Sequence, residues 1–377
     1  MIKAYKYKLF PTEQQQTLLN KHFGATRYIY NWGLQTKSSS YITTKTNISR
    51  LKLSKQLTQL KQQPEYIWLN EINAQALQAK LEDLDVAYTG FFKKKADYPT
   101  FKSRKDKQSF RVPQATIVNF DNSSIQIPKF KEGIKFDNHR SFTGKICHST
   151  ISKSSAGEYY ISITVDTKQP LPIKPPIIEA TTIGLDLGLN SYVTISTGEK
   201  VLDPKPSKKH ACKLAKLSRR HSRKQKGSNN KNKHRLKLAK LHEKVANQRK
   251  DFHHKLSYKL THENQVDTIV METLSVSNMI KNHKLAFHIA DAGWSQFIQF
   301  IKYKCDWYGK NFIQIGRFEP SSKMCSTCGV VNKRLTLTDR SWMCASCGSN
   351  HDRDVNASLN IKKLGLVQPE VTPTDTK

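Results

Sequence analysis

Two Cys-x-x-Cys pairs near the C-terminus, Cys325 with Cys328 and Cys344 with Cys347, constrain this chain more than any other feature. Fifteen residues separate the pairs, and a glycine (Gly329, Gly348) follows each at once. A tetrahedral zinc site needs four soft thiolates carried on two tight turns, and this spacing supplies both. The rival reading is a pair of disulfides. The N-terminus, Met1-Ile2-Lys3-Ala4-Tyr5-Lys6, runs straight into charged sequence without a signal-peptide pattern. Without an oxidising compartment, thiolates and metal are the better expectation. Four cysteines close the coordination, so the zinc is expected to be structural. Cys147, Cys212 and Cys305 are scattered and read as bystanders.

Charge gives the second constraint. The 377 residues hold 63 Lys and Arg against 30 Asp and Glu, a net +33. So large a charge repels itself unless a polyanion neutralises it, and each phosphate contact adds salt-sensitive affinity. The densest basic run is 205–250, with 18 basic residues and one acid, Glu243. Leu214, Leu217, Leu236, Leu238 and Leu241 suggest two helices there, broken at Gly227-Ser228-Asn229-Asn230. The bland alternative is a solvated basic face. The near absence of acids favours a phosphate-tracking surface, with Lys208, Lys209, Arg219, Arg220, Arg223 and Arg235 as expected contacts. Such contacts position nucleic acid without reading its sequence. No apolar run approaches the roughly 20 residues needed to span a membrane, so no membrane partner and a cytoplasmic location are expected.

The organisation is mixed α and β, over two or three domains. Ala4 to Phe10 alternates as a strand, and Pro11 breaks it. Thr12 with Gln15 makes a capping box opening a helix lined by Leu18, Leu19 and Phe23. A second helical stretch follows with Tyr28, Ile29 and Trp32. A third candidate covers 54–62, stopped by Pro64. The longest covers 73–92, with Leu77, Leu81, Leu84, Tyr88 and Phe91 on one stripe, read as core. These make a helical bundle of about 90 residues. After Pro99 the texture becomes β: 116–120, 124–127 and 159–165 read as a small antiparallel domain that the first strand is a candidate to join. Pro170, Pro172, Pro175 and Pro176 mark 168–176 as a stiff linker. Apolar strands at 181–188, 266–271 and 311–315 define a third region, and 367–377 reads as a disordered tail.

Three acids stand where a carboxylate is unwelcome without a cation. Asp186 sits between Leu185 and Leu187, Glu272 ends Ile269-Val270-Met271, and Asp354 opens a helical segment. Converging, they could hold two divalent cations about 4 Å apart for phosphodiester hydrolysis. Hard oxygen ligands suit magnesium or manganese. Two of these acids also have an ordinary reading: Asp354 as a helix N-cap, Glu272 as a strand-end surface residue. Asp352 competes for the metal role. The residues alone leave a metal-dependent nucleic-acid enzyme and a zinc-containing nucleic-acid binder both open.

Several segments together resemble the TnpB (OrfB) proteins of insertion-sequence transposons, relatives of the type V CRISPR effectors. They are Tyr7-Lys8-Leu9-Phe10-Pro11-Thr12, Phe23-Gly24-Ala25-Thr26-Arg27-Tyr28, Tyr30-Asn31-Trp32, Tyr98-Pro99-Thr100-Phe101-Lys102 and Ser109-Phe110-Arg111. Further on come Gly184-Leu185-Asp186-Leu187-Gly188, Met271-Glu272, Ala290-Asp291-Ala292-Gly293-Trp294, Pro320-Ser321-Ser322-Lys323 with the four cysteines, and Asp352-Arg353-Asp354-Val355-Asn356-Ala357. The resemblance implies an RNA-guided DNA endonuclease that binds a transposon-end guide RNA, recognises a short target-adjacent motif and cuts with one RuvC-type (RNase H-like) site. It implies Asp186, Glu272 and Asp354 as the triad, the third acid standing before x-Asn-Ala. It implies a β-barrel wedge domain (1–10 and 110–178), an N-terminal helical recognition bundle (11–109), and a RuvC domain (179–320 and 349–366) with an inserted zinc ribbon (321–348). The expected cofactors are structural zinc, two magnesium or manganese ions and guide RNA; the expected partners are guide RNA and double-stranded DNA. One copy per RNA is the simplest expectation for oligomeric state. Asn73, Gln75, Gln78 and Arg111 are nominated for reading the adjacent motif, since Asn and Gln suit adenine edges and Arg suits guanine. A transposase, or a non-catalytic zinc-containing regulator, is the alternative.

Overall fold

A computed structural model describes residues 1–263, 265–317, 319–336 and 338–367. The chain divides into two compact units, Met1–Gln169 and Pro170–Lys377.

The first unit opens with strand β1 (Ile2–Phe10), whose buried Tyr7 and Leu9 alternate with more exposed residues. Helices α1 (Glu13–Thr44), α2 (Arg50–Leu60) and α3 (Ala74–Phe92) follow. Strands β2 (Gln108–Val112), β3 (Ile117–Asn119), β4 (Ser124–Ile127), β5 (Phe130–Phe136), β6 (Lys145–Lys153) and β7 (Tyr159–Asp166) complete it. One antiparallel sheet in the order β2-β6-β7-β1-β5-β4-β3 takes in all seven strands. The opening strand is therefore central, paired with β7 from Ile2↔Asp166 to Leu9↔Tyr159. Leu19 and Phe23 of α1 join the sheet core of Tyr7, Phe110, Ile161 and Ile163. Ile29, Leu53, Leu57, Leu77 and Leu81 form a second core between the helices.

The structure departs from the expected helices in two respects: α2 starts at Arg50, four residues before the expected 54, and the N-terminal helices merge. The two stretches foreseen at 12–32 are one helix of 32 residues, longer than α3. Gly24 inside it costs about 1 kcal/mol relative to alanine. Burial of Leu19, Phe23, Ile29 and Leu34 on either side outweighs that. The capping box forms, with the Gln15 amide donating to Thr12 Oγ1 at 3.3 Å and the Thr12 amide to Gln15 Oε1 at 3.1 Å.

The second unit begins with prolines that are not a free linker. The Asn311 side chain donates to the Pro175 carbonyl at 2.9 Å, and Lys174 pairs with Asp306 at 2.8 Å. Strands β8 (Thr182–Leu187), β9 (Ser191–Ile195) and β10 (Lys200–Leu202) are antiparallel neighbours. Helices α4 (Pro206–Ser222) and α5 (Asn229–Tyr258) carry the basic run. Strand β11 (Thr268–Glu272) then lies parallel to β8. Helices α6 (Val276–Met279), α7 (Ala286–Ala292) and α8 (Trp294–Tyr308) lead to strand β12 (Asn311–Ile315), parallel to β11. The five-stranded order is β10-β9-β8-β11-β12. Strands β13 (Ser341–Met343) and β14 (Asn350–Asp352) form a hairpin within the cysteine region, and α9 (Arg353–Val367) closes the described chain. Beyond Val367, the segment read as a tail lies outside the described residues. No described helix is long and apolar enough to cross a membrane.

Glycine decides how α9 meets the sheet. A Cβ on Gly184 of β8 would fall 2.1 Å from the Ser358 carbonyl oxygen and 2.6 Å from the Lys362 amide nitrogen. A Cβ on Gly365 of α9 would fall 2.4 Å from Val270 of β11. Helix and sheet backbones thus touch where only glycine fits, and this fixes α9 across β8 and β11.

Candidate active site

The three acids meet at one end of this sheet. Leu185 and Met271 are in register on parallel β8 and β11. The next position along each strand brings Asp186 beside Glu272, with strand axes about 5 Å apart. Ser358 of α9 lies on Gly184, two residues before Asp186. Asp354 is one helical turn before Ser358 and reaches the same end. Half-buried Asp186 is pushed up to about 7, by burial first and then by the charges of Asp354 and Glu272, with Arg353 opposing. Burial also raises Glu272. The carboxyl ends of parallel strands are the usual ligand-binding edge of such sheets.

The N-cap question is resolved by geometry. Asp352, not Asp354, caps α9: its Oδ1 accepts from the amides of Asp354 and Val355, both at 3.1 Å. Its Oδ2 lies 2.7 Å from Lys200 Nζ. These partners hold Asp352 below its usual range against the opposing effect of burial. They leave the Asp354 carboxylate free of capping.

The cysteines form a tighter cluster. Among the described residues, the four sulfurs are the only group of three or more possible metal-ligand atoms all within 4.8 Å of one another. Sγ–Sγ distances are 3.7 Å for Cys325–Cys347 and 3.6 Å for Cys328–Cys344. Four thiolates 2.3 Å from a tetrahedral zinc stand about 3.8 Å apart, whereas a disulfide needs about 2.05 Å. The residues fit zinc, and at these distances the four cysteines stand as free thiols. The two knuckles repeat one pattern: Gly329 N–H donates to the Cys325 carbonyl and Gly348 N–H to that of Cys344, each at 2.9 Å. Both glycines have positive φ, +78° and +70°, which a side chain would resist. Hydrogen bonds with Ser349 bring the Cys347 thiol down to about 6.

One face of α9 ties this cluster to the acids. Asn356 accepts from the Ser326 amide at 2.8 Å and donates to the Met324 carbonyl at 2.7 Å. Asn360 donates to the Ser321 carbonyl at 2.7 Å and to that of Met324 at 2.6 Å. Lys363 reaches the Ser326 carbonyl. Both asparagines are buried. The first knuckle is therefore fastened to the helix that carries Asp354. Sequence reasoning missed this role, although Asn356 stood in a quoted motif; an i, i+4 pair of asparagines on an apolar helix was the available signal.

Lys208, Lys209, Arg219, Arg220, Arg223 and Arg235 are all exposed on the α4–α5 hairpin. An acid without an assigned role anchors that hairpin. Asp291, 4% exposed, accepts from the Ser207 amide at 3.0 Å at the start of α4 and from Arg249 Nη2 of α5 at 3.1 Å. In the first unit, the motif-reading nominees have other engagements. Asn73 is buried as the N-cap of α3, accepting from the Gln75 amide at 3.0 Å. Arg111 is paired with Glu82. Gln75 approaches Gln114 at 3.4 Å, and Gln78 is exposed.

A protein of Streptomyces pristinaespiralis, named "Putative RNA-guided DNA endonuclease", is 38% identical over 369 residues, covering 97% of this chain and 89% of that protein. The chain belongs to the TnpB (OrfB) family. InsQ of Escherichia coli K12, named in the same words, is 33% identical over 380 residues and covers 97% and 92%. Residues 161–283 match the OrfB family model described as "Probable transposase". Residues 294–361 match a Cas12f1-like TNB domain. Residues 1–46 match a model described as a helix-turn-helix domain, although they fold here as a strand and one helix. The Cas12f1–sgRNA–target DNA complex aligns with TM-score 0.59 at 17% identity, over 93% of this chain and 83% of that one. The mini-RNA-guided endonuclease Cas-phi3 aligns with TM-score 0.51 at 10% identity, over 99% and 94%. The mixed α/β multidomain fold is shared with both.

Proposed function

We propose that this chain is an RNA-guided DNA endonuclease, with Asp186, Glu272 and Asp354 as the carboxylates of one RuvC-type site. The observation that carries the reading is their meeting at the carboxyl ends of β8 and β11, where burial first, and then the charges of Asp354 and Glu272, push Asp186 up to about 7. Three carboxylates forced together without a paired cation are costly. Divalent ions such as magnesium, when bound there, would activate a water and stabilise the leaving oxygen of a phosphodiester. Asp186 and Glu272 would hold them from rigid strand ends, and Asp354 from the first turn of α9. Asp352 would keep that turn in place as its cap. The cysteines would bind structural zinc, with no open position for chemistry. The exposed cations of the α4–α5 hairpin would hold a guide–target duplex by its backbone. The names of the relatives support guide RNA and target DNA as partners. The domain reading given by the resemblance stands as part of this proposal.

The test is plasmid cleavage by the protein co-expressed with its downstream flank, the guide segment reprogrammed to a target beside a randomised sequence. Magnesium-dependent cutting that follows the guide is expected. Asp186→Ala is expected to lower cutting by about 10⁴-fold or more, since it removes a ligand of the reacting centre, with RNA retained. Cutting by Asp186→Ala at the wild-type rate would remove that residue from the site.

A further inference from the structure

The first unit contains a basic cleft that the nuclease reading does not use. It offers about 100 Å³ of space, is open to solvent, and lies between α1, α3 and the segment after α3. Arg27, Lys80, Lys102 and Lys107 line it, against a single acid, Asp106. That acid is engaged, accepting from the Ser103 amide at 2.6 Å.

Three of the cations, Arg27, Lys80 and Lys102, are held in place rather than left to sweep the surface. The Lys102 backbone is gripped at both ends by one side chain: its N–H donates to Asn31 Oδ1 at 2.8 Å, and its carbonyl accepts from Asn31 Nδ2 at 2.9 Å. Its ammonium lies 4.1 Å from the centre of the Tyr30 ring. Arg27 donates to Gln108 Oε1 at 3.0 Å, and Gln108 is itself pinned through the Asp106 carbonyl at 2.7 Å. The Lys80 side chain is only 11% exposed, with Asp83 at 2.7 Å. Burial, and then the neighbouring Lys80, push Lys102 toward losing its proton. An anion seated between them would relieve both effects. Tyr30, Asn31 and Lys102 all belong to segments that mark the family resemblance, yet none has been given a task.

We propose that this cleft is a phosphate seat, in which Lys102, with Lys80 and Arg27, grips one backbone phosphodiester of bound nucleic acid. The proposal rests on the reading of the chain as a nucleic-acid-binding nuclease. The seat takes phosphate whatever the base sequence. The phosphate can come from guide RNA or from target DNA, and the test separates them.

Dissociation constants are measured against salt in two arms: guide RNA with protein alone, and target duplex with the preformed protein–RNA complex in EDTA. Lys102→Met keeps the aliphatic stem over Tyr30 and removes the charge. In the arm that supplies the phosphate, it is expected to reduce the slope of log affinity against log salt by roughly 0.7 to 0.9 and to weaken binding about fivefold at 0.15 M salt. Lys102→Arg is expected to retain the slope, and Lys80→Met to lower it in the same arm. Unchanged slopes for Lys102→Met in both arms would overturn the proposal, as would a loss that Lys102→Arg does not restore. If the wild type bound neither polyanion, the nuclease reading itself would fall, a result distinct from an unchanged slope.

Discussion

The cysteine cluster and the acid cluster solve opposite problems with the same helix. The four thiolates come from two knuckles within residues 325–347, each closed by its own glycine and its own backbone hydrogen bonds. The three carboxylates come from two strands and a helix far apart in sequence, and nothing local gathers them. A zinc-type site can be assembled by turns, because its ligands attract a cation strong enough to fold around. Three acids repel one another, so only a rigid sheet and a helix forced against it can hold them together. On the reading proposed above, the first cluster is a folding device and the second depends on folding already done. The α9 asparagines join the two.

If that dependence is real, damage to the cysteines should reach the acids. Among changes away from the acids themselves, Cys344→Ser, or zinc removal by a chelator, carries the largest expected effect. Zinc content should fall from one equivalent to none, the ribbon should lose its order, and cleavage should fall about 100-fold or more as Asp354 drifts by about 1 Å. Zinc analysis, a thermal melt and the plasmid assay read this. A Cys344→Ser protein that melts and cuts normally would sever the two clusters. The reverse should not hold: Asp186→Ala should keep its zinc.

Gly184→Ala tests the acid side alone. Its Cβ would strike the α9 backbone, so the helix must move, at a cost of about 1–3 kcal/mol. Cleavage should drop by up to about 100-fold with zinc content intact. Full activity would mean that the close approach of α9 to β8 does not set the site. The smallest effect is expected from Asn356→Ala, which leaves the Ser326 amide and part of the Met324 carbonyl's bonding unmet. A stability loss of about 1–3 kcal/mol follows, with cleavage falling more steeply with temperature than in the wild type. An unchanged melt would remove the asparagine from the link.

This contrast also explains what the sequence could show. The cysteine pairs were legible because their spacing encodes their geometry. The acids were visible one by one as carboxylates in apolar surroundings, but their meeting needed the family resemblance. No local pattern states that Gly184 admits a helix backbone. Asp352 and Asp354 could not be told apart from spacing, since capping depends on where α9 begins. Spacing likewise says nothing of the partners that Asn73 and Arg111 have within the chain. Each suits a base edge by chemistry; here Asn73 caps α3 and Arg111 pairs with Glu82. The two stretches read within 12–32 are one helix, α1, because buried side chains continue on both sides of Gly24.

Because the ribbon lies between β12 and α9, synthesis delivers the parts in a fixed order: Asp186, the basic hairpin, Glu272, the four thiols, then Asp354. On the reading proposed above, cutting is the last capability a nascent chain acquires. A polypeptide interrupted anywhere in the ribbon would already carry its basic hairpin and lack its third acid, leaving a grip without a blade.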